Sequence, residues 1–293
     1  METFTLACVQ MAPAPTKQQS LDKARDLIVD AAGKGAQVVC LPELFATSYF
    51  CQEEDQDQFG LAEPLHGPTT GAMADAARAS RTTLLVSFFE RRAAGIYHNT
   101  LAVIGPDGEI LDIYRKMHIP DDPGYYEKFY FTPGDLGYKS VDTPHGPVGP
   151  LICWDQWFPE AARMTALSGA LLLTYPTAIG WHPGEKAEHG AEQREAWMTI
   201  QRSHAIANGV FVAAVNRVGH EVPPSGGQGI EFWGSSFVAG PMGTLLVQAP
   251  VDREETLLVA IDPAQVEDKR HGWPFLRDRR IDSYTPLLER YLK

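Results

Sequence analysis

The chain has 293 residues, 44% of them hydrophobic, and 37 acidic against 25 basic side chains give a formal net charge of −12. That balance excludes nucleic acid as a natural partner, because a phosphate backbone needs a basic face, and it is compatible with a cationic small molecule. No window approaches the ~20 consecutive apolar residues that cross a bilayer, and the start METFTLACVQM lacks the basic-then-apolar pattern of a secretory signal, so no membrane contact and a cytoplasmic location are expected.

Residues 4–11 form a short apolar run suited to a buried strand. Leu21, Ala24, Ile28 and Ala31 recur at helical spacing over 20–33, with Ser20 as the candidate cap and Gly33 as the stop. A second β-branched run, AQVVCLPE over 36–43, ends at Glu43. A helix around 70–80 leads into a strand over 83–90. HNTLAVI and EILDIYRK flank the turn Gly105-Pro106-Asp107-Gly108 and read as a hairpin whose second strand closes on Lys116. Residues 117–138 are rich in Pro, Gly, Asp and Tyr without a period, which predicts a long loop, and such loops inside a domain often carry function.

KSVDT, a His-Gly-Pro turn and VGPLIC predict another hairpin, ending at Cys153. A helix follows over 159–170, with Pro159 suited to its first turn. Next come a strand over 171–176, a long helix over 186–208 and a strand over 211–217. SSFVAGP and TLLVAID supply two more strands. Strands alternating with helices, yet interrupted by hairpins, imply mixed sheets with helices on their outer faces. Without a linker-like stretch or a repeat, one domain over 1–264 is expected, and 265–293 reads as an extension.

Glu43, Lys116 and Cys153 each close an apolar run, and strand ends are where a rigid α/β scaffold projects side chains into a cleft. Any one of them alone reads better as a solvated turn residue. Together they form a chemical set. A cysteine attacks as its thiolate, so its proton must be removed. A carboxylate can accept that proton. An ammonium favours the thiolate and neutralises the oxyanion formed at an attacked carbonyl. The backbone N–H of Trp154, at the start of a turn into a helix, points at the same oxyanion. This is an acyl-transfer kit without histidine, metal or cofactor.

Other residues read more simply. Cys8, Cys40 and Cys51 lie in or beside apolar strands and are expected in the core. No cysteine or histidine spacing suits zinc. His118 is expected to order its loop. Gly226, Gly227 and Gly229 lack the strand-to-helix context of a phosphate cradle, and the acidic run over 53–57 reads as a solvated face. Trp154, Trp157 and Phe158 flank the nucleophile as pocket walls or core anchors.

LPELF (41–45), YRKMHIP (114–120) and LICWDQWFPE (151–160), in that order, resemble the three signatures of the nitrilase superfamily of carbon–nitrogen hydrolases. The resemblance covers nearly the whole chain. It implies a four-layer α-β-β-α sandwich with two mixed sheets, Glu43 as general base, Lys116 as oxyanion stabiliser and Cys153 as nucleophile. It also implies a second glutamate in the loop after the lysine, Glu127, to orient the lysine and the leaving group. A homo-oligomer built from dimers, with 265–293 packing across subunits, is implied as well.

FYFTPGD (129–135), CWDQWFPEAAR (153–163) and YPTAIG (175–180) resemble a polyamine-pathway branch of the family. That implies hydrolysis of N-carbamoylputrescine to putrescine, carbon dioxide and ammonia through a thioester-type intermediate. The distal ammonium of such a substrate needs an anionic pocket end. Asp121, Asp122, Glu185 and Glu188 are the candidates, with Tyr125, Trp157 and His182 around them. Plant-type members of the branch would carry an acidic residue soon after TAIG, where this chain has Trp181 and His182. The rival within catalysis is an ω-amidase or other aliphatic amidase, whose anionic distal group would call on Lys186 or Arg194. The rival outside catalysis is an interaction module that kept the fold and lost activity.

Overall fold

The computed structural model describes residues 1–293. In chain order the elements are Phe4–Gln10 (β1), Lys17–Gly33 (α1), Val38–Cys40 (β2), Pro68–Ser80 (α2), Thr83–Ala93 (β3), Ile96–Ile104 (β4), Ile110–Arg115 (β5), Glu127–Tyr130 (α3), Val141–Thr143 (β6), Gly146–Pro150 (β7), Pro159–Leu167 (α4), Leu172–Thr177 (β8), Gly180–Trp181 (β9), Lys186–Asn208 (α5), Phe211–Asn216 (β10), Val218–Glu221 (β11), Ile230–Trp233 (β12), Phe237–Ala239 (β13), Leu245–Gln248 (β14), Glu255–Ile261 (β15) and Pro263–Gly272 (α6). One sheet runs β15-β1-β2-β3-β4-β5, a second runs β14-β13-β10-β8-β7-β6, and a small third is β11-β12-β9. Both large sheets are mixed: β1, β2 and β3 are parallel, as are β7, β8 and β10, while the flanking pairs are antiparallel.

The layering follows from the period of two along the strands. Leu6 and Cys8 of β1, with Val38 and Cys40 of β2, point into the core shared with Leu172, Leu173 and Val212 of the second sheet. Their neighbours Ala7, Val9 and Val39 point the other way and meet Ala24 and Ile28 of α1 and Met73 and Ala77 of α2. On the far side α4 and α5 cover the second sheet. The result is helix, sheet, sheet, helix, the expected sandwich. Cys8 and Cys40 are fully buried between the sheets, Cys51 is equally buried in the aromatic cluster around Phe50 and Phe89, and all four cysteines are free.

Three local expectations are corrected. The cap of α1 is Thr16, not Ser20: its side chain accepts from Gln19 N while the Gln19 side chain reaches back, a capping box. Ser20 is buried inside the helix and accepts from Ala14 N at 2.9 Å. The loop over 117–138 contains the single turn α3, which starts at Glu127. The small sheet β11-β12-β9 was not visible in the sequence, because its strands are only two to four residues long and draw their order from packing. No helix is long and apolar enough to cross a membrane.

Candidate active site

Glu43 leaves the end of β2 through a strained turn, for Leu44 has φ +49°, in the left-handed region that disfavours a side chain. Leu44 N donates to Ser87 Oγ at 3.2 Å, Ser87 donates to Asn99 Oδ1 at 3.2 Å, and Asn99 Nδ2 donates to Glu43 Oε1 at 2.7 Å. Strands β3 and β4 thereby aim the carboxylate. Its other oxygen, Oε2, is buried with no partner, an acceptor left free where such groups are normally satisfied.

Lys116 follows β5. Its backbone is held on both sides, N–H to Asn99 O at 2.9 Å and C=O from Gly134 N at 2.8 Å. Gly134 is required there, since a Cβ would lie 2.0 Å from Arg115 O. The Lys116 side chain is buried with Glu43 and Glu127 around it: Nζ donates to Glu43 Oε1 at 2.8 Å and to Glu127 Oε2 at 2.6 Å. Glu127 also accepts from Tyr49 OH at 2.7 Å.

Cys153 opens a turn of 3-10 helix over Cys153–Trp157 with φ +41°. A cysteine in this region costs on the order of 1–3 kcal/mol and is held by its surroundings. The hold is visible: Asp155, fully buried, accepts from Ile152 N at 3.0 Å and closes the elbow. The thiol lies 3.9 Å from Ala178 O. The first amides of such a turn have no intrahelical acceptor, and the Trp154 N–H next to Cys153 is one of them.

Burial would by itself lower the proton affinity of Lys116, but the Glu127 and Glu43 carboxylates outweigh it and hold the ammonium well above its usual range. Burial pushes the Cys153 thiol well up, reinforced by the Glu43 carboxylate and opposed by Lys116, so the resting sulfur is protonated. Burial also pushes Glu127 up, to about 7, against the pull of Lys116. A thiol, a carboxylate with a free oxygen and a fixed ammonium meet in one dry place, where each charge acts with little screening.

Cys153 connects this cluster to a cavity of about 310 Å³. Trp154, Trp157, Tyr125 and Trp233 wall it, and Asp122, His182 and Glu185 also reach it. Asp121 and Glu188, both proposed from sequence as distal carboxylates, do not. Asp121 is exposed and outside the lining, and Glu188 projects from the first turn of α5 into solvent, its side chain 81% exposed beside His189. Trp181 is structural: it is buried and donates from Nε1 to Gly190 O at 2.8 Å. Lys186 is engaged by Glu231 at 2.6 Å and Arg194 by Ser235 at 3.2 Å, and neither lines the cavity. His118 orders its loop, with Nδ1 2.8 Å from Asp155 Oδ1 and its ring stacked on Phe158 at 3.7 Å.

Sequence reading missed Tyr49, Asn99 and Arg217. Asn99 carried a signal, a polar side chain inside an apolar strand. So did Arg217, an ionisable residue closing FVAAVN just as Glu43 closes its own run. Tyr49 carried none.

A sulfur with a carboxylate and an ammonium behind it suits attack on a carbonyl carbon bound to nitrogen, and the two-sheet sandwich that presents it marks the class as that of carbon–nitrogen hydrolases. The family model described as carbon-nitrogen hydrolase matches residues 5–271. This chain belongs to that family, the nitrilase superfamily, and is an amidase-type hydrolase. N-carbamoylputrescine amidase of Solanum tuberosum is 45% identical over 288 residues, 97% of this chain and 94% of that protein. Citrullinase of Francisella tularensis subsp. tularensis is 37% identical over 292 residues, 99% and 100% of the two chains. The crystal structure of a carbon-nitrogen hydrolase from Helicobacter pylori G27 superposes with a TM-score of 0.96 at 46% identity, covering 99% of this chain and 100% of that one.

Proposed function

We propose that this protein hydrolyses N-carbamoylputrescine, with one water, to putrescine, carbon dioxide and ammonia. The observation that carries the substrate is the charge of the cavity. Asp122 and Glu185 line it and no Lys or Arg does, which suits a ligand with a ureido group at one end and an ammonium at the other. The four relatives at 42–45% identity that are N-carbamoylputrescine amidases support the same reading. An ω-amide ending in a carboxylate would meet like charge there.

The chemistry runs through Cys153. Glu43 takes the thiol proton on its free Oε2 as the sulfur attacks the ureido carbon. Lys116 and the Trp154 N–H receive the negative oxygen of the tetrahedral adduct. Glu43 returns the proton to the departing nitrogen, and ammonia leaves because the other nitrogen is tethered through its butyl chain to the distal carboxylates. Water, deprotonated by Glu43, then cleaves the S-carbamoyl thioester. The released N-alkyl carbamate loses carbon dioxide to give putrescine. Glu127 holds Lys116 in line throughout.

Citrulline is the second reading. It shares the ureido end, and its α-carboxylate would find the Trp157 and Trp233 indole N–H groups, both buried at the cavity without a partner. It would find no cation. Ammonia release across N-carbamoylputrescine, citrulline, N-carbamoyl-β-alanine and glutarate monoamide decides. Preference for either anionic substrate would overturn the amine-end assignment.

Free, buried cysteines suit a reducing, cytoplasmic setting. We place the catalytic unit in 1–264 and a subunit contact in 265–293. Beyond α6 that segment exposes Trp273, Ile281, Leu287, Leu288 and Tyr291. Beside it Arg163 Nη1 and Arg270 Nη2 are buried without a partner. Apolar side chains next to guanidinium N–H groups without an acceptor suit a second copy that brings carboxylates. Light scattering should give a dimer or a multiple of it, and truncation after 272 should give monomers.

A further inference from the structure

Arg217 follows β10 and is fully buried against the turn that leaves β2. Its Nε donates to Glu43 O at 3.0 Å, its Nη2 to Leu44 O and to Thr47 O, the latter at 2.9 Å, and its Nη1 to Glu221 Oε1 at 2.9 Å. A guanidinium presents five N–H groups in a rigid plane, so a turn with three carbonyls converging on it is held in one shape. That shape includes the left-handed Leu44, a conformation an L side chain disfavours without such support.

The second oxygen of Glu221 reaches the other carboxylate. Glu221 Oε2 accepts from Tyr49 N at 2.7 Å, and Tyr49 OH donates to Glu127 Oε1 at 2.7 Å. One ion pair therefore touches the main chain of Glu43 and the residue that holds Glu127. It is also joined to the cavity wall through the small sheet. Val218, next to Arg217, pairs with Trp233, and Phe232 pairs with Gly180; Trp233 and Gly180 both line the cavity. Phe232 packs edge-on to Tyr49 at 5.8 Å, with the Arg217 guanidinium 5.8 Å from each ring.

We propose that the Arg217–Glu221 pair is a positioning device that sets both carboxylates flanking Lys116, Glu43 through its main chain and Glu127 through Tyr49, and joins that setting to the cavity wall. The inference rests on the roles given above to Glu43 and Glu127. A buried ion pair that merely braced the fold would change stability when broken and leave the turnover of folded protein alone.

Glu221 is the residue to change, because it is the last residue of β11 and losing its side chain leaves the strand pairing intact. In Glu221→Ala, kcat for N-carbamoylputrescine should fall about tenfold or more, the order expected when a reacting group moves by a fraction of an ångström, with KM within about twofold of the parent. Glu221→Gln keeps an acceptor for Tyr49 N–H while removing the charge facing Arg217, and should fall between the two. The rate at which iodoacetamide alkylates Cys153, read by peptide mass, should drop in the same order, since Glu43 must take the thiol proton. That second readout needs no assumed substrate: if the parent releases no ammonia from any carbamoyl compound, the proposed activity falls, while the alkylation series still judges the clamp. Folded Glu221→Ala and Glu221→Gln with parental kcat and parental alkylation rate, or with a raised KM alone, would overturn it.

Discussion

Tyr114 OH donates to Asp155 Oδ2 at 2.8 Å across the two large sheets. Tyr114 lies two positions before Lys116 and Asp155 two after Cys153, so this one bond ties the strand that carries the ammonium to the elbow that carries the sulfur. Asp155 is fully buried and also accepts from Ile152 N, His118 N and His118 Nδ1. Removing it strands several buried donors. Asp155→Ala should lose about 3–5 kcal/mol of stability, measured by chemical denaturation, and should lose activity with it. A variant as stable as the parent would show that the carboxylate is not the fastener.

Cys153→Ala removes the proposed nucleophile and little packing. The strained φ +41° remains, so no gain in stability is expected. Ammonia release should fall at least about 10³-fold with an unchanged circular dichroism spectrum. Residual turnover near the parental rate would remove the covalent mechanism.

Lys116 and Glu43 should separate stability from catalysis. Lys116→Ala leaves the Glu43 and Glu127 carboxylates buried without a cation, and should destabilise by about 3–5 kcal/mol as well as silence turnover. Glu43→Gln keeps the volume and an oxygen for Asn99, so its denaturation midpoint should stay near the parent's while kcat drops about 10²-fold or more. Equal stability losses in the two variants would contradict the charge argument.

Glu127 supplies a pH dependence. Burial raises its folded-state value to about 7 from an ordinary value near 4.5, so the folded chain binds this proton more tightly than the unfolded chain. Between about 4.5 and 7 the folded state carries the extra proton, and the Glu127 contribution to stability falls as pH rises through that window. Glu127→Gln should flatten this part of the stability profile, followed as the urea midpoint against pH. An unchanged profile would mean that another group sets the slope.

The distal carboxylates should act on binding. Asp122→Asn and Glu185→Gln should each raise KM for N-carbamoylputrescine by about two- to fivefold, the range for partly exposed ion pairs, with kcat little changed. Asp121→Asn and Glu188→Gln, outside the cavity, serve as controls and should leave KM alone. Steady-state ammonia assays at low salt make the comparison.

The sequence by itself determined mixed sheets with helices on their outer faces and the three strand-end residues, while the four-layer order came with the resemblance carried by its three motifs. The signal was local: a continuous apolar run such as FTLACVQ marks a buried strand, and an ionisable residue closing such a run is visible one run at a time. Glu127 sits in a loop without period, so only its resemblance to a family pattern marked it. Tertiary structure alone decided that Tyr49 and Asn99 hold the two glutamates, that Arg217 and Glu221 clamp the turn behind Glu43, that Asp122 and Glu185 face the cavity, and that Asp121 and Glu188 do not. Glu221 and Tyr49 are 172 positions apart, and periodicity carries no information about which distant hydrogen-bonding groups meet once sheets pack. That choice belongs to register and layer geometry, where buried polar groups must find partners from wherever in the chain the fold delivers them.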